Sequence, residues 1–371
     1  MADPTPDGEA AVSAAALPQQ APADRFRTLR RGGLSLRLHR RSLIVVGLLC
    51  AAALAAAWWN MISGSAALGA ADVLAALTGQ SDEGAARVIL DWRAPRVIFT
   101  LVGGAALAVA GAVFQSQTRN PLGSPDIIGF STGAYTGVLI AASVGLNGMW
   151  AAPAAASAGG LVTGAVIYLL AMRHTAGGLG VSGLRLIIVG IGISIFLGSL
   201  NTYLVTVLDL ETAISVANWG AGSVNDVAWA HALPLLLIMA LAGPVLLANA
   251  REMTLIEMGD DAAAALGIRT ERVRLAQFVC AVLLVAAVTA GAGPIAFIAL
   301  VAPQLALRLT GTGAVQLIPA AAMGAALLTA ADAVARSPLM PASLPVGVVT
   351  LILGGAYLVW LLISMSRRRA A

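Results

Sequence analysis

Residues 251–274 have the sequence REMTLIEMGDDAAAALGIRTERVR, the one long charged block with hydrophobic segments on both sides. Within it, Gly259 precedes Asp260 and Asp261, whose carboxylates favour a helix start, and Gly267 follows four alanines as a helix end. This pattern predicts a helix of about six residues, roughly 9 Å long, which needs a partner surface to be stable. An ordinary loop is the alternative. We interpret the rest of the chain as arranged around this block, which a membrane protein must hold in water beside the bilayer.

Composition places the chain among proteins that cross a membrane many times. Of its 371 residues, 59% are hydrophobic and 11% are charged, and the mean hydropathy is +0.87. Because a span needs about 20 apolar residues, we expect an all-α fold of roughly ten transmembrane helices. Residues 1–41, rich in Ala and Pro and then in Arg, predict a disordered cytoplasmic tail, and residues 42–371 predict the transmembrane domain.

Apolar runs follow one another through that domain and predict the individual spans. They cover residues 43–61, 97–115, 129–146, 150–172, 184–208, 231–248, 273–290, 294–309, 315–334 and 346–364. Helix-breaking residues at 120–125, 291–294 and Pro303 predict interruptions, which at membrane depth must be buried in protein or line a watery path.

Glycines also recur at helical spacing within two of the predicted spans. Gly129, Gly133 and Gly137 lie on one face of the third span, and Gly160 and Gly164 lie on one face of the fourth. Small residues at this spacing let two backbones approach closely where lipid provides no hydrophobic drive. They predict close helix packing.

The basic residues exclude one function and orient the chain. All 22 are Arg, and because a phosphate-binding P-loop requires Lys, any ATP-driven role needs a separate ATPase. With the N-terminus inside, 18 arginines lie on the cytoplasmic side and four lie outside, which satisfies the positive-inside rule. The net charge of +4 has the same origin, so we expect no nucleic-acid partner. The outside four are Arg87, Arg93, Arg96 and Arg336.

The sequence contains no motif for a metal site or for a catalytic site. His39, His174 and His231 are far apart, and Cys50 and Cys280 have no metal-ligand spacing, so we expect no metal site. No nucleophile elbow or metalloprotease motif occurs, which predicts a transport subunit and not an enzyme. An ion-coupled transporter would need ionisable side chains at mid-membrane. The only carboxylate within the predicted spans is Asp332, and it lies near an outer end.

Five stretches resemble the iron-siderophore (FecCD) family of permease subunits of ABC importers, to which the vitamin B12 permease also belongs. They are DWRAPR at 91–96, GAALAVAGAVFQSQTRNPLGSPDIIGFSTGA at 104–134, EMGDDAAAALGIRTER at 257–272, GPIAFIALVAP at 293–303 and ADAVARSPLMPASLPVGVVTLILGG at 331–355. Within the family, the second permease subunits of ferric-enterobactin systems are the most similar. The segment 182–184 lacks the Thr-Ser pair of the B12 permease, so no gate residue is assigned there.

The resemblance implies a fold, partners and site residues. It implies ten spans in the B12-permease-like (type II importer) fold, a second permease subunit that is a related chain in preference to a copy, and two cytoplasmic ATPases that carry the ATP and Mg²⁺. This chain would bind no cofactor itself. The ATPases would contact a coupling helix at Gly259, Asp260, Asp261, Ala262, Ala265, Leu266 and Gly267. An extracytoplasmic binding protein would dock on Arg93, Arg96 and Arg336, and an inner gate would lie at Asn120 and Leu122.

The sequence therefore predicts a multi-pass permease of a bacterial inner membrane, with both termini in the cytoplasm. We expect it to import a ferric siderophore, of the catecholate type like enterobactin, by alternating access. Heme or cobalamin is the alternative cargo, and an ion-coupled secondary transporter is the alternative mechanism.

Overall fold

The computed structural model describes residues 26–31, 34–64, 68–146, 148, 150–175, 178–314, 316–337 and 344–370. These residues form helices almost throughout, with two short β-hairpins. The strands are β1 (Phe26–Arg31), β2 (Leu34–His39), β3 (Met172–Thr175) and β4 (Gly178–Val181). The first helices are α1 (Arg40–Ile62), α2 (Ala70–Leu77), α3 (Glu83–Ala86), a π-helical segment (Arg87–Arg93), α4 (Ala94–Thr118), α5 (Pro125–Ile128), α6 (Phe130–Ser143), α7 (Ala151–Ala171) and α8 (Gly183–Val207). The remainder are α9 (Leu210–Gly220), α10 (Trp229–Ala248), α11 (Ala250–Glu257), α12 (Asp260–Ala265), α13 (Thr270–Ala292), α14 (Ile298–Thr310), α15 (Leu317–Ala335) and α16 (Val346–Ala370).

Each of the ten predicted spans overlaps one of these helices, namely α1, α4, α6, α7, α8, α10, α13, α14, α15 and α16. Among the described residues, seven helices are long and apolar enough to cross a membrane, with α4 counted together with the short helices that precede it. The apolar parts of α14 and α16 are shorter, and α6 has only 14 residues. The predicted all-α membrane fold is confirmed.

Helix α4 is the centre of the bundle. Pro95 fits its first turn, where no backbone N–H is needed. Alternating small and large apolar residues follow, and 78% of its most apolar stretch is buried, against 11% for α1 and α8. Helices α10, α13, α14 and α15 pack around it. The buried rings of Phe99 and Phe114 and the side chain of Leu107 lie in this core.

The predicted break in the helix near Pro294 is present, and neighbouring segments of the bundle pack against it. Residues 293–297 are not helical, so α14 begins at Ile298 and not at Pro294. The loop after α9 lies beside the gap, since Ser223 N donates to Ala292 O at 2.7 Å and Gly222 lies against Pro294 O. Irregular backbone is tolerated within a membrane domain where other parts of the protein surround it.

The interruption predicted at Pro303 is wrong, since α14 runs through this residue. A proline inside a helix leaves the carbonyl four residues earlier without its intrahelical partner. Here that carbonyl belongs to Ala299, and Gly111 of α4 lies directly against its oxygen. A Cβ at position 111 would overlap this oxygen. The absent side chain thus lets α4 cover a carbonyl group that Pro303 has freed.

The predicted close helix packing at these glycines is confirmed between α6 and α7, whereas Gly129 precedes α6 and lies against Ser194 of α8. A Cβ at Gly133 would overlap Thr163 of α7, and one at Gly137 would overlap the backbone of Ala155. Gly164 lies against the ring of Phe130. A Cβ at Gly160 would make only ordinary contacts, 3.7 Å from the nearest atoms. Close contact therefore runs along most of the α6–α7 pair.

The end of the predicted tail differs from expectation. Residues 1–25 lie outside the described part of the chain. Strands β1 and β2 pair antiparallel from Phe26 with His39 to Arg31 with Leu34, where the sequence predicted disorder through residue 41. The alternation of Leu with Ser, Arg and His in LSLRLH has the period of a strand, which explains the pairing. The first helix begins at Arg40, before the first predicted span.

Candidate coupling, gate and docking sites

The charged block 251–274 forms the predicted short helix. Gly259, with φ of 135°, begins it, α12 covers Asp260–Ala265, and Gly267, with φ of 81°, ends it. Both φ values lie where glycine has no steric penalty. Ala263 is fully buried and attaches α12 to the bundle. Helix α13 then begins at Thr270, as predicted.

One face of this block is apolar and uncovered. Met258 is 75% exposed and Leu266 is 66% exposed, and Ala262 and Ala265 are exposed between them. Ala265 and Leu266 follow Ala262 by three and four residues and so share one side of α12, and Met258 precedes the turn at Gly259. Exposed apolar groups of this kind are typical of an interface.

Asp260 faces the bundle instead. Its Oδ1 accepts from Arg119 Nη2 and from Arg274 Nη2, both at 2.6 Å, and its Oδ2 accepts from Arg274 Nη1 at 3.0 Å. The Arg274 side chain is only 8% exposed. The Asp260 side chain is still 48% exposed, and Asp261, which the sequence grouped with it, is exposed too but forms no ion pair among the described residues. Sequence reasoning missed both arginines, although an Arg followed directly by a predicted turn and an Arg at the start of a span were available signals.

The predicted gate residues lie in the turn that joins α4 to α5, residues 119–124. Asn120 Oδ1 accepts from Leu122 N at 2.9 Å, and Gly123 N donates to Asn120 O at 2.9 Å. An Asn side chain that bonds the backbone two residues later is a turn-forming device. Leu122 is 37% exposed. The turn is therefore held by its own bonds and exposes the apolar side chains of Pro121 and Leu122.

The three arginines predicted for docking meet at the opposite end of α4. Arg93 Nη1 donates to Met61 O at 2.7 Å, and Arg336 Nη2 donates to Ser63 O at 2.9 Å. Arg96 Nη2 donates to Asp332 Oδ1 at 2.5 Å. Arg93 is buried and Arg336 is half-buried, where burial lowers the pKa of its guanidinium. These arginines fasten the end of α1 to α4 and α15.

Asp332 is fully buried and bonded to Arg96. This environment argues against the alternative that the chain is an ion-coupled secondary transporter. A proton or ion carrier in a transporter must reach a water-filled path. Asp332 is closed off from one in this conformation. No cluster of metal-binding side chains occurs within the described residues.

Helix α8 leaves most of its surface without a partner in the chain. Ile188, Ile195 and Tyr203 are each more than 60% exposed, and the glycines Gly192 and Gly198 have open space beside them. Ser199, Thr202 and Thr206 are also exposed on this helix. Glycines and hydroxyl groups on an uncovered membrane helix are typical of contact with another helix or with a polar path.

Known proteins share both the sequence and this architecture. The chain is 47% identical over 335 residues to the ferric enterobactin transport system permease protein FepG of Escherichia coli (strain K12), covering 90% of this chain and 99% of that protein. It is 33% identical over 290 residues to the hemin transport system permease protein HmuU of Yersinia pestis, covering 76% of this chain and 84% of that protein.

A solved structure described as an inward-facing conformation of a metal-chelate type ABC transporter matches with a TM-score of 0.75. The two are 26% identical, and the match covers 87% of this chain and 99% of that chain. Residues 40–364 match the FecCD transport family. The ten helices, the short helix in the charged block and the whole-length similarity agree, and the chain belongs to the FecCD transport family.

Proposed function

We propose that this chain is a permease subunit of an ATP-driven importer and that its cargo is a ferric siderophore of the catecholate type. The similarity to FepG carries the cargo assignment, since 47% identity extends over 99% of that protein. The chain would hold no cofactor, and the iron complex is its substrate. Transport would proceed by alternating access, in which helices move as packed bodies and open the path to one side at a time.

The ATPase would bind at α12. The chain has no Lys and so cannot form a P-loop, which assigns ATP and Mg²⁺ to separate subunits. The uncovered apolar side chains of Met258 and Leu266, with Ala262 and Ala265 between them, form a surface for a soluble partner. Two copies of the ATPase would serve two permease subunits.

A second permease subunit would cover α8. Its glycines allow close approach of another helix, and its exposed hydroxyl groups suit a polar path between two subunits. We infer that the second subunit is a related chain, because the resemblance is to one of the two permeases of ferric-enterobactin systems. The turn 119–124 would close this path on the ATPase side, with Asn120 and Leu122 as its gate residues.

The extracytoplasmic binding protein would dock at the end of the bundle that carries Arg93, Arg96 and Arg336. A guanidinium suits bidentate pairing with carboxylates of a partner. In this conformation, however, each of these arginines bonds groups of its own chain. Docking would therefore have to exchange some of these bonds, and Arg336, the less buried of the two carbonyl-bonded arginines, is the best candidate.

The arginine distribution supports an orientation with both termini in the cytoplasm of a bacterium and α12 on the same side of the inner membrane. Binding of an extracytoplasmic protein and of a cytoplasmic ATPase requires this arrangement. Accessibility of single engineered cysteines in α12 and in α2 to a membrane-impermeant thiol reagent tests it, in a background without Cys50 and Cys280.

The decisive experiment reconstitutes this chain with its second permease, ATPase and binding protein in liposomes. Uptake is measured for ferric catecholates, ferric hydroxamates, heme and cobalamin. We expect ATP-dependent uptake of a ferric catecholate alone. Uptake of heme would favour the alternative that the similarity to HmuU supports. Uptake driven by a proton gradient without ATP would contradict an ABC importer.

A further inference from the structure

The carboxylate of Asp260 connects α12 to two other segments at the same end of the bundle. One of its arginine partners, Arg119, is the first residue of the turn 119–124. The other, Arg274, lies in the first turns of α13 and donates Nη1 to Val181 O at 3.3 Å, directly before α8. A single side chain of the short helix is thus joined to the gate turn and to the start of α8.

Further bonds tie the same three segments together. Arg119 Nη2 also donates to Ile256 O at 2.8 Å, at the end of α11. Gln117 Nε2 donates to Arg274 O at 3.0 Å. Gly183, the first residue of α8, lies against the backbone of residues 117 and 118. A movement of α12 would therefore reach both segments through the ends of α4 and α13 on this side of the bundle.

The two ion pairs of Asp260, with Arg274 and with Arg119, differ in strength. The Arg274 side chain is 8% exposed, so water screens its bidentate pair with Asp260 only partly. The Arg119 side chain is 44% exposed and that of Asp260 is 48% exposed, so their ion pair is the weaker of the two. Arg119 also has a φ of 49°, a left-handed backbone conformation that non-glycine residues rarely adopt. The Arg119–Asp260 ion pair is therefore the contact that can break and reform.

We propose that Asp260 is a positioning residue that transmits the displacement of α12 to the gate turn through Arg119 and to the start of α8 through Arg274. This inference rests on the proposed function, in which an ATPase moves α12. The apolar face of α12 would receive the ATPase, whereas Asp260, on the other side, would pass the movement on.

The test compares D260N with D261N in the complete reconstituted transporter. Both changes remove one negative charge from the first turn of α12 and so have the same effect on the helix dipole. Only D260N removes the paired carboxylate. We expect D260N to keep ATPase association and ATP hydrolysis within about twofold of wild type, since the change lies away from the apolar face. Cargo moved per ATP should fall about tenfold, a usual size for a lost coupling. D261N, whose exposed carboxylate belongs to the surface expected to contact the ATPase, can alter ATPase association, but its cargo moved per ATP should stay at the wild-type value.

A second variant separates transmission from a merely structural role. R119Q removes the weaker ion pair and leaves the pair with Arg274. We therefore expect cargo moved per ATP to fall less than in D260N. The double variant D260N/R119Q should be no worse than D260N, because both changes break one connection. D260E, which keeps the charge, should restore most of the coupling.

Three outcomes would overturn the inference. They are normal coupling in D260N, an equal loss in D261N, or a loss of ATPase association in D260N that matches the loss of uptake. If D260N does not reach the membrane, R119Q alone decides, because normal coupling in R119Q contradicts transmission to the gate turn. Failure of the proposed function is distinct, since wild type would then show no ATP-dependent uptake.

Discussion

Arg96 of α4 and Asp332 of α15 form a two-pronged ion pair in which the carboxylate is wholly enclosed. Nη2 donates to Oδ1 at 2.5 Å and Nε donates to Oδ2 at 3.1 Å, across 236 positions of sequence. Asp332 is the only carboxylate within the predicted spans, and it is 0% exposed. This pair therefore fixes one end of α4 against one end of α15.

We expect D332N to destabilise the protein by about 3–5 kcal/mol, because it leaves the Arg96 charge buried without its partner. The positive charge of Arg336 is close enough to make the loss larger. Thermal unfolding of the purified protein in detergent measures the effect. D91N, a change at an exposed carboxylate of the same end, is the control and should unfold at the wild-type temperature. Equal melting of both variants would contradict a structural role for the pair.

Gly111 predicts a second effect on stability. G111A would force a methyl group into the Ala299 carbonyl, and overpacking of this kind usually costs about 1–3 kcal/mol. Since the obstacle is backbone, α4 and α14 would have to separate. G47A is the control, because nothing lies within 4 Å of a Cβ at that position of α1. The same melting assay applies, and a wild-type melting temperature for G111A would show that the two helices are not in contact.

The apolar face of α12 predicts an effect on ATPase binding. L266D places a charge in the surface proposed for the ATPase, and we expect association to weaken by about 2 kcal/mol, as for an interface hot spot. Co-purification of the ATPase with the permease measures it. L77D changes a Leu of similar exposure, 59% against 66%, at the other end of the molecule and should co-purify normally. Undiminished co-purification of L266D would place the ATPase elsewhere.

The outer arginines predict a salt-dependent effect on docking. R336Q removes a charge but keeps a hydrogen-bond donor for Ser63 O, and we expect the Kd of the binding protein to rise about tenfold, or ~1.4 kcal/mol. The difference from wild type should shrink at high salt, because ions screen charge pairs. R87Q, at an exposed arginine of the same end outside the cluster, is the control. Unchanged affinity of R336Q, measured on protein that melts normally, would count against docking there.

The sequence predicted the helices well because lipid makes long apolar runs nearly unambiguous. Each of the ten predicted spans overlaps a helix, seven helices among the described residues are long and apolar enough to cross a membrane, and the short helix at Asp260 is present. Breaks were harder to predict, since they depend on neighbours. Helix α13 ends at Ala292, whose carbonyl accepts from Ser223 N of the loop after α9, whereas α14 continues through Pro303, where Gly111 covers the freed carbonyl. Strands β1 and β2 and the short helices before α4 are too brief for periodicity to decide.

The predicted site residues depended on composition and resemblance, which give positions but not partners. Counting arginines placed Arg96 outside, yet its bond to Asp332 joins residues far apart in sequence. The same holds for Arg119 and Arg274, which meet on Asp260 only after the chain folds. Asp260 and Asp261 are equivalent in sequence and differ only in the direction that each side chain takes from α12.

Helix α4 has a mechanical consequence. It is one unbroken helix of 25 residues, about 37 Å long at 1.5 Å per residue, with the arginine cluster at one end and Arg119 at the other. Between them, Gly104 meets the backbone of Gly324 so closely that no side chain would fit. That contact holds the middle of α4 against α15. A rigid-body tilt of α4 about it would move the turn 119–124 and the arginine cluster in opposite directions, so under the proposed function binding-protein docking and ATPase movement would act on the same helix.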